Sequence, residues 1–263
     1  MNITTQSLKK LKESGEKFSC VTAYDATFAR LACEAGIDVI LVGDSLGMVL
    51  QGQSSTLPVS MSDMVYHTQC VSRGTTTAMI MADMPFNSIN DLSQALDNAS
   101  KLMQAGAHIV KLEGDEWLAP YIQAMSNRGI PVCAHLGLTP QSVNKLGGYR
   151  VQGKQEDQAQ NMVVAAKSLV EAGADIILLE CVPSSLAEAI TNSVDVPVIG
   201  IGAGSVTDGQ VLVMHDLLGI TIGHRPKFVK NFMEGARSIE EAFKAYNDAV
   251  KSTRFPGPEH SFS

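Results

Sequence analysis

Four carboxylates, one lysine and one histidine stand out because they close short apolar runs. Asp44 follows Val39-Ile-Leu-Val-Gly, Asp83 ends Thr77-Ala-Met-Ile-Met-Ala, Glu113 ends Ile109-Val-Lys-Leu, Glu180 ends Asp175-Ile-Ile-Leu-Leu, and His135 ends Pro131-Val-Cys-Ala. A single acid at a strand-to-helix turn is commonly a helix cap. Four at one end of a fold would repel one another and be costly to desolvate, so a cation is the natural resolution. The run ends carry one histidine and no cysteine apart from Cys181, which disfavours a soft-metal site. Oxygen ligands from two or three carboxylates suit Mg²⁺, which keeps positions open for water or substrate. Lys111 precedes Glu113 by two residues, so in a strand both side chains point to the same face. If that face is inward, Lys111 is a buried cation needing an anion, either Glu113 or Asp83 in an ion pair or the carboxylate or enolate of a substrate. Glu180, set among Leu178, Leu179 and Val182, is suited to proton abstraction and lies across the ring from the other three acids. His135 reads as a satisfied core or neighbour-orienting residue before it reads as a catalyst.

These side chains need a scaffold that delivers every one to the same end. The segments beginning Glu34-Ala-Gly-Ile-Asp, Gln104-Ala-Gly-Ala-His and Glu171-Ala-Gly-Ala-Asp repeat one pattern, with Gly36, Gly106 and Gly173 at intervals of 70 and 67 residues. Each is a helix end, a glycine break and a buried strand closing on an acid, and a further apolar run lies between copies. Two strand-helix units per period predict a (β/α)8 TIM barrel, whose chemistry sits at the C-terminal strand ends. Residues 4–15 predict an N-terminal helix covering the bottom of the barrel. Strands are expected over 18–22, 39–42, 77–83, 109–113, 131–135, 175–180 and 197–202, with helices over 25–35, 61–73, 88–104, 115–127, 156–172, 184–192 and 238–251. The eighth unit, 210–218, is apolar almost throughout and reads as strand, helix or both. Connections in α/β units run about 2–6 residues. Those at 43–60 and 137–154 are far longer, both follow a strand, and both are lid candidates. The loop Gly200-Ile-Gly-Ala-Gly204 offers N–H groups to an anion or allows close backbone packing.

The 263 residues, 45% hydrophobic, are enough for one large core, and a single domain over 1–263 is expected, with 252–263 a loose tail because of Pro256 and Pro258. A net charge of −7 argues against nucleic acid or an anionic membrane as partner, despite the basic stretch from Arg225 to Lys230. The five cysteines form no Cys-x-x-Cys pair and read as reduced core thiols. With no apolar signal segment and no run long enough to span a bilayer, the expected location is cytoplasmic.

Six motifs in order then carry a resemblance. Val39-Ile-Leu-Val-Gly-Asp-Ser-Leu-Gly-Met, Met81-Ala-Asp-Met-Pro-Phe, Val110-Lys-Leu-Glu-Gly, His135-Leu-Gly-Leu-Thr-Pro-Gln, Leu178-Leu-Glu-Cys-Val-Pro and Ile199-Gly-Ile-Gly-Ala-Gly resemble the ketopantoate hydroxymethyltransferase family, from about Lys9 to the region of Pro256. The resemblance implies a Mg²⁺-dependent transfer of a hydroxymethyl group from 5,10-methylenetetrahydrofolate to 3-methyl-2-oxobutanoate, giving 2-dehydropantoate for pantothenate and coenzyme A biosynthesis. It places the metal on Asp44, Asp83 and Glu113, substrate contacts on Asp44, Ser45, Asp83 and Lys111, and the proton acceptor on Glu180. It also implies a homo-oligomer, a decamer of two pentameric rings. Ser205 departs from the asparagine the family pattern leads one to expect. In the implied chemistry Mg²⁺ acts as a Lewis acid on the oxo acid, Glu180 takes the C3 proton, and the enolate attacks the methylene carbon of the opened folate iminium under the closed lids. Arg225, Lys227 and Lys230 are candidates for the glutamyl tail of the folate. The alternative is a Mg²⁺-dependent carbon–carbon lyase or mutase of the phosphoenolpyruvate mutase/isocitrate lyase type, although Cys181 lacks the Lys-Lys-Cys-Gly-His context of such lyases. A barrel that only binds a metabolite has little use for a base facing a metal.

Overall fold

The computed structural model describes residues 2–223 and 225–263. Among them, β1 (Phe18–Thr22), β2 (Val39–Val42), β3 (Met79–Asp83), β4 (Ile109–Glu113), β5 (Val132–Gly137), β6 (Ile176–Glu180), β7 (Val198–Ile201) and β8 (Gly209–Leu212) form one parallel sheet in sequential order. β8 pairs back to β1, Phe18 level with Gly209, and closes the barrel. The strands are buried along almost their whole length, as expected of parallel strands covered on both faces, and runs such as Val-Ile-Leu-Val in β2 and Ile-Ile-Leu-Leu in β6 supply the apolar, β-branched surface this requires.

The helices follow the strands around the outside. α1 (Thr5–Ser14) precedes β1; α2 (Ala26–Glu34), α4 (Met61–Gly74), α5 (Leu92–Gln104), α6 (Ala119–Ser126), α8 (Glu156–Glu171), α9 (Ser184–Ser193) and α11 (Ile239–Lys251) form the outer layer, and the short α3 (Leu46–Val49), α7 (Val143–Leu146) and α10 (Met214–Leu217) follow β2, β5 and β8. Local chemistry sets their starts. The side chains of Asp25, Ser60, Asp91 and Ser238 each accept a backbone N–H from the first turn of the helix they precede. The three repeat glycines adopt positive φ, 81° at Gly36, 111° at Gly106 and 106° at Gly173, and end α2, α5 and α8.

α1 covers the strand-start end of the barrel, as expected. Leu8 is fully buried, Lys12 Nζ lies 2.9 Å from both Thr191 O and Asp208 Oδ2, and Ile3 N–H donates to Thr77 O at 2.9 Å. Several boundaries differ from the sequence pattern. The helix expected from Ser88 starts at Leu92, where Asp91 supplies the cap; that expected over 115–127 is a 3-10 turn, Glu116–Leu118, followed by α6, with Pro120 in the first turn, where its missing N–H is tolerated. The eighth unit is both strand and helix. The tail at 252–263 is packed rather than loose: Phe255 is buried with its ring 5.4 Å from that of Phe232, and Ser184 N–H donates to Phe262 O at 3.0 Å. Two aromatic side chains give that segment apolar surface to bury, which outweighs its prolines. Cys20, Cys33, Cys133 and Cys181 are buried free thiols. No described helix is long and apolar enough to cross a membrane.

Candidate active site

Strand register brings the predicted residues together at the C-terminal mouth. Asp83 is level with Lys111, and Glu113 with His135, so each pair shares an inward face on neighbouring strands. Lys111 Nζ lies 2.7 Å from Asp83 Oδ1, 3.5 Å from Glu113 Oε1 and 3.3 Å from His135 Nδ1. The His135 ring then bridges two acids, with Nδ1 3.3 Å from Glu113 Oε1 and Nε2 3.3 Å from Glu180 Oε2. Glu180, across the ring, is thereby tied to the other acids through one imidazole. Asp44, just past β2, donates its backbone N–H to Asp83 Oδ2 at 2.9 Å. β5 runs two residues beyond His135 to Gly137, whose φ of 92° and missing Cβ let the backbone press against Glu180 O, and Leu138 N–H donates to that carbonyl at 2.8 Å.

Asp44, Asp83, Lys111, Glu113 and His135 are all buried, while the Glu180 side chain keeps 16% of its surface open to solvent. Burial, with Asp83 and Glu113 close by, pushes the Asp44 carboxyl well above its usual range. Burial also raises Asp83, and Lys111 offsets only part of that. Burial acts to raise Glu113 too, but Lys111, His135 and the Gln141 N–H outweigh it and hold this group down at about 2. Burial and Lys111 oppose a charge on His135; Glu113 and Glu180 prevail and raise it to about 9. Burial likewise opposes a charge on Lys111, yet the surrounding acids keep it protonated well above its ordinary value.

Four acids thus face two cationic side chains; full ionisation of the acids would leave two negative charges uncompensated in a buried cluster, and burial instead pushes Asp44 and Asp83 toward the neutral form. Asp83 Oδ1 is close to Lys111 but makes no aligned hydrogen bond, and His135 Nε2 likewise has none toward Glu180. Among the described residues no three His, Cys, Asp or Glu side chains converge in metal-binding geometry; the carboxylates of Asp83 and Glu113 turn toward Lys111 and that of Asp44 toward Gln141. The surplus of acids over cations and their hard oxygen donors nonetheless fit a divalent cation of the Mg²⁺ kind.

Two residues without a predicted role join the site. Gln141 Nε2 donates to Asp44 Oδ2 at 2.8 Å and Met84 O at 3.0 Å, and its backbone N–H donates to Glu113 Oε2 at 3.0 Å. Tyr24, buried just past β1, holds its hydroxyl 2.9 Å from Ser45 Oγ. Gln141 closes the fourth of the six motifs and was visible there; nothing local to Tyr24 signals its contact. The glycine loop after β7 serves close packing, since Phe228 and Phe262 crowd the position a Cβ would take at Gly202, and Ser184 does so at Gly204. Of the basic stretch, Lys227 Nζ donates to Ser261 O at 2.6 Å and Arg225 donates to Gly219 O at 2.9 Å, so both engage their own chain.

Comparison with known proteins extends this picture. A phosphoenolpyruvate phosphomutase from Streptomyces platensis subsp. rosaceus superposes with a TM-score of 0.63 at 14% identity, covering 82% of this chain and 83% of that one, a likeness in fold. The 3-methyl-2-oxobutanoate hydroxymethyltransferase of Marinobacter nauticus is 62% identical over 262 residues, covering 100% of this chain and 99% of the relative. The 3-methyl-2-oxobutanoate hydroxymethyltransferase 2 of Hahella chejuensis is 61% identical over 263 residues and covers both chains fully. The model of the ketopantoate hydroxymethyltransferase family matches residues 2–258, a span that contains all four acids, Lys111 and His135. With that match across nearly its whole length and the barrel-mouth cluster in place, the chain belongs to the ketopantoate hydroxymethyltransferase family.

Proposed function

We propose that the barrel mouth binds 3-methyl-2-oxobutanoate and places on its C3 the one-carbon unit of 5,10-methylenetetrahydrofolate, giving 2-dehydropantoate. The observation that carries the reading is the buried cluster itself: four acids against Lys111 and His135, which when all are ionised leave two negative charges for a divalent cation to neutralise. Asp44, Asp83 and Glu113 would hold Mg²⁺. Once bound there, Mg²⁺ supplies Lewis-acid polarisation of the 2-oxo acid, which acidifies the C3 proton. Lys111 offers a fixed positive charge to the substrate carboxylate, and Ser45, steadied by Tyr24, offers a hydroxyl beside it. Glu180, the most solvent-accessible of the four acids, removes the C3 proton. His135, held between Glu113 and Glu180, places its ring 3.3 Å from that carboxylate. In the net transfer the C3–H bond is replaced by a C3–CH₂OH bond, the methylene carbon leaves both folate nitrogens, and one water supplies the hydroxyl oxygen.

The relatives' names support the transferase reading over a lyase. So does Cys181, which burial and the neighbouring Glu180 push far above the usual thiol range, leaving it unsuited to proton transfer or nucleophilic attack. The resemblance also leads us to propose a cytoplasmic homodecamer, which light scattering on the purified protein tests directly. For the chemistry, the test is hydrogen–deuterium exchange at C3 of 3-methyl-2-oxobutanoate in D₂O, followed by NMR with tetrahydrofolate present. Exchange that needs Mg²⁺ and vanishes in Glu180→Gln is expected. Exchange that persists in that variant would remove Glu180 from the role of base.

A further inference from the structure

The connection from β5 to α8 is anchored to the acids by one residue. Gln141 lies in a 3-10 turn, Pro140–Ser142, just past β5, and its partners come from three other places: Asp44 after β2, Met84 after β3, and Glu113 at the end of β4. The Met84 carbonyl can only accept, so the NH₂ group must face it, and its second hydrogen reaches Asp44 Oδ2. The backbone N–H is committed to Glu113 at the same time. One residue therefore touches two of the three acids assigned to the cation. Farther along, Tyr149 OH donates to Met48 Sδ at 3.7 Å, so the connections at 43–60 and 137–154 meet a second time.

We propose that Gln141 is a positioning residue for the divalent-cation site: it holds one oxygen of Asp44, fixes the orientation of Glu113, and so makes the docking of the 137–154 connection a condition of tight cation binding. This rests on the reading that Asp44, Asp83 and Glu113 bind a divalent cation. The amide spends only Oδ2 of Asp44, which sets the plane of the carboxylate without claiming both its oxygens. A partner that orients a ligating carboxylate typically changes metal affinity by about 10–100-fold when removed.

The test is Mn²⁺ binding by the full-length protein, measured by electron paramagnetic resonance without substrate. In Gln141→Met, which keeps length but loses both donors, the Mn²⁺ dissociation constant should rise about tenfold. Gln141→Asn keeps the amide but withdraws it by one methylene, and should show the same loss. Gln152→Leu, in the same connection but with its side chain bonded only to Arg150 O, should bind Mn²⁺ as the parent does. Amide exchange of the metal-free Gln141→Met protein should also quicken over 138–149 and stay unchanged in the strands. Parent-like Mn²⁺ affinity in either folded Gln141 variant overturns the proposal while leaving the cation site standing. Absence of Mn²⁺ binding by the parent protein would instead bring down the cation reading, and the role of Gln141 with it.

Discussion

The two ends of the barrel treat buried charge in opposite ways. At the strand starts, the residue before every second strand accepts a hydrogen bond from the preceding strand: Asp38 from Ser19 N–H at 2.9 Å, His108 Nδ1 from Ile80 N–H at 2.9 Å, Asp175 from Val132 N–H at 3.0 Å and Asp208 from Val198 N–H at 2.8 Å. Two of these acids also meet a lysine, Lys251 at 3.0 Å from Asp38 and Lys12 at 2.9 Å from Asp208. Each acid there has its own donors. At the mouth, four acids share Lys111 and His135, and Asp44 and Asp83 are pushed toward the neutral form by burial. One end gives each acid its own donors and the other crowds its acids, which matches the division between a stability face and a chemical face in such barrels.

The comparison breaks first at Glu180. Glu180→Gln should lower turnover by about 10³-fold or more while leaving the thermal midpoint in place, because the side chain orients chemistry and contributes little to packing. A fall in the midpoint as large as that from a core substitution would make Glu180 structural. Next comes Lys111→Met, which leaves Asp83 and Glu113 buried without their cation and should destabilise the metal-free protein by about 3–5 kcal/mol in urea unfolding. Added Mg²⁺ should restore part of that loss, and failure to do so would weaken the reading that the acids lack a divalent partner.

A pair of substitutions then sets the two ends against each other. Asp208→Ala removes the acceptor of the Val198 N–H and the carboxylate partner of Lys12, which keeps only Thr191 O, and should cost about 1–3 kcal/mol with turnover intact. Asp44→Asn should do the reverse, abolishing cation binding while stabilising the metal-free protein by about 1 kcal/mol, since it removes one of three crowded buried acids. If both destabilise alike, the mouth is no more strained than the base. The smallest effect concerns His108, whose imidazole burial lowers from 6.5. The unfolded chain takes up a proton first as pH falls through 6.5, so the contribution of this group is fully present above that value and is lost below it, toward the native pKa. Because the side chain is only partly covered, solvent screening keeps the change small, seen as a difference in the pH dependence of unfolding between the parent and His108→Gln.

The repeat that reveals the barrel in the sequence serves both ends at once. In each copy the residue two places after the glycine, Asp38, His108 or Asp175, ties a strand start, and the acid closing the run, Asp44, Glu113 or Glu180, reaches the mouth. Strand number, most strand ends, the covering helix and the six named site positions were legible because apolar runs, capping side chains and helix-ending glycines act over a few residues, whereas β5 continues past His135 to Gly137. The tail was misread for the same reason: prolines are a local signal, whereas the burial of Phe255 among Phe232 and Tyr246 depends on segments far away in the chain.

The amino-acid sequence by itself determined which residues end the strands and that their charges do not balance, because types and order are enough to count acids against cations along inward faces. Only the tertiary structure decided who meets whom. Register places Lys111 against Asp83 and not Glu180, lets one imidazole join Glu113 to Glu180, and brings Gln141 to Asp44 across 97 residues of chain. Such contacts are set by closure of the barrel, which fixes the level of every strand relative to its neighbours, and no stretch of sequence contains that information on its own.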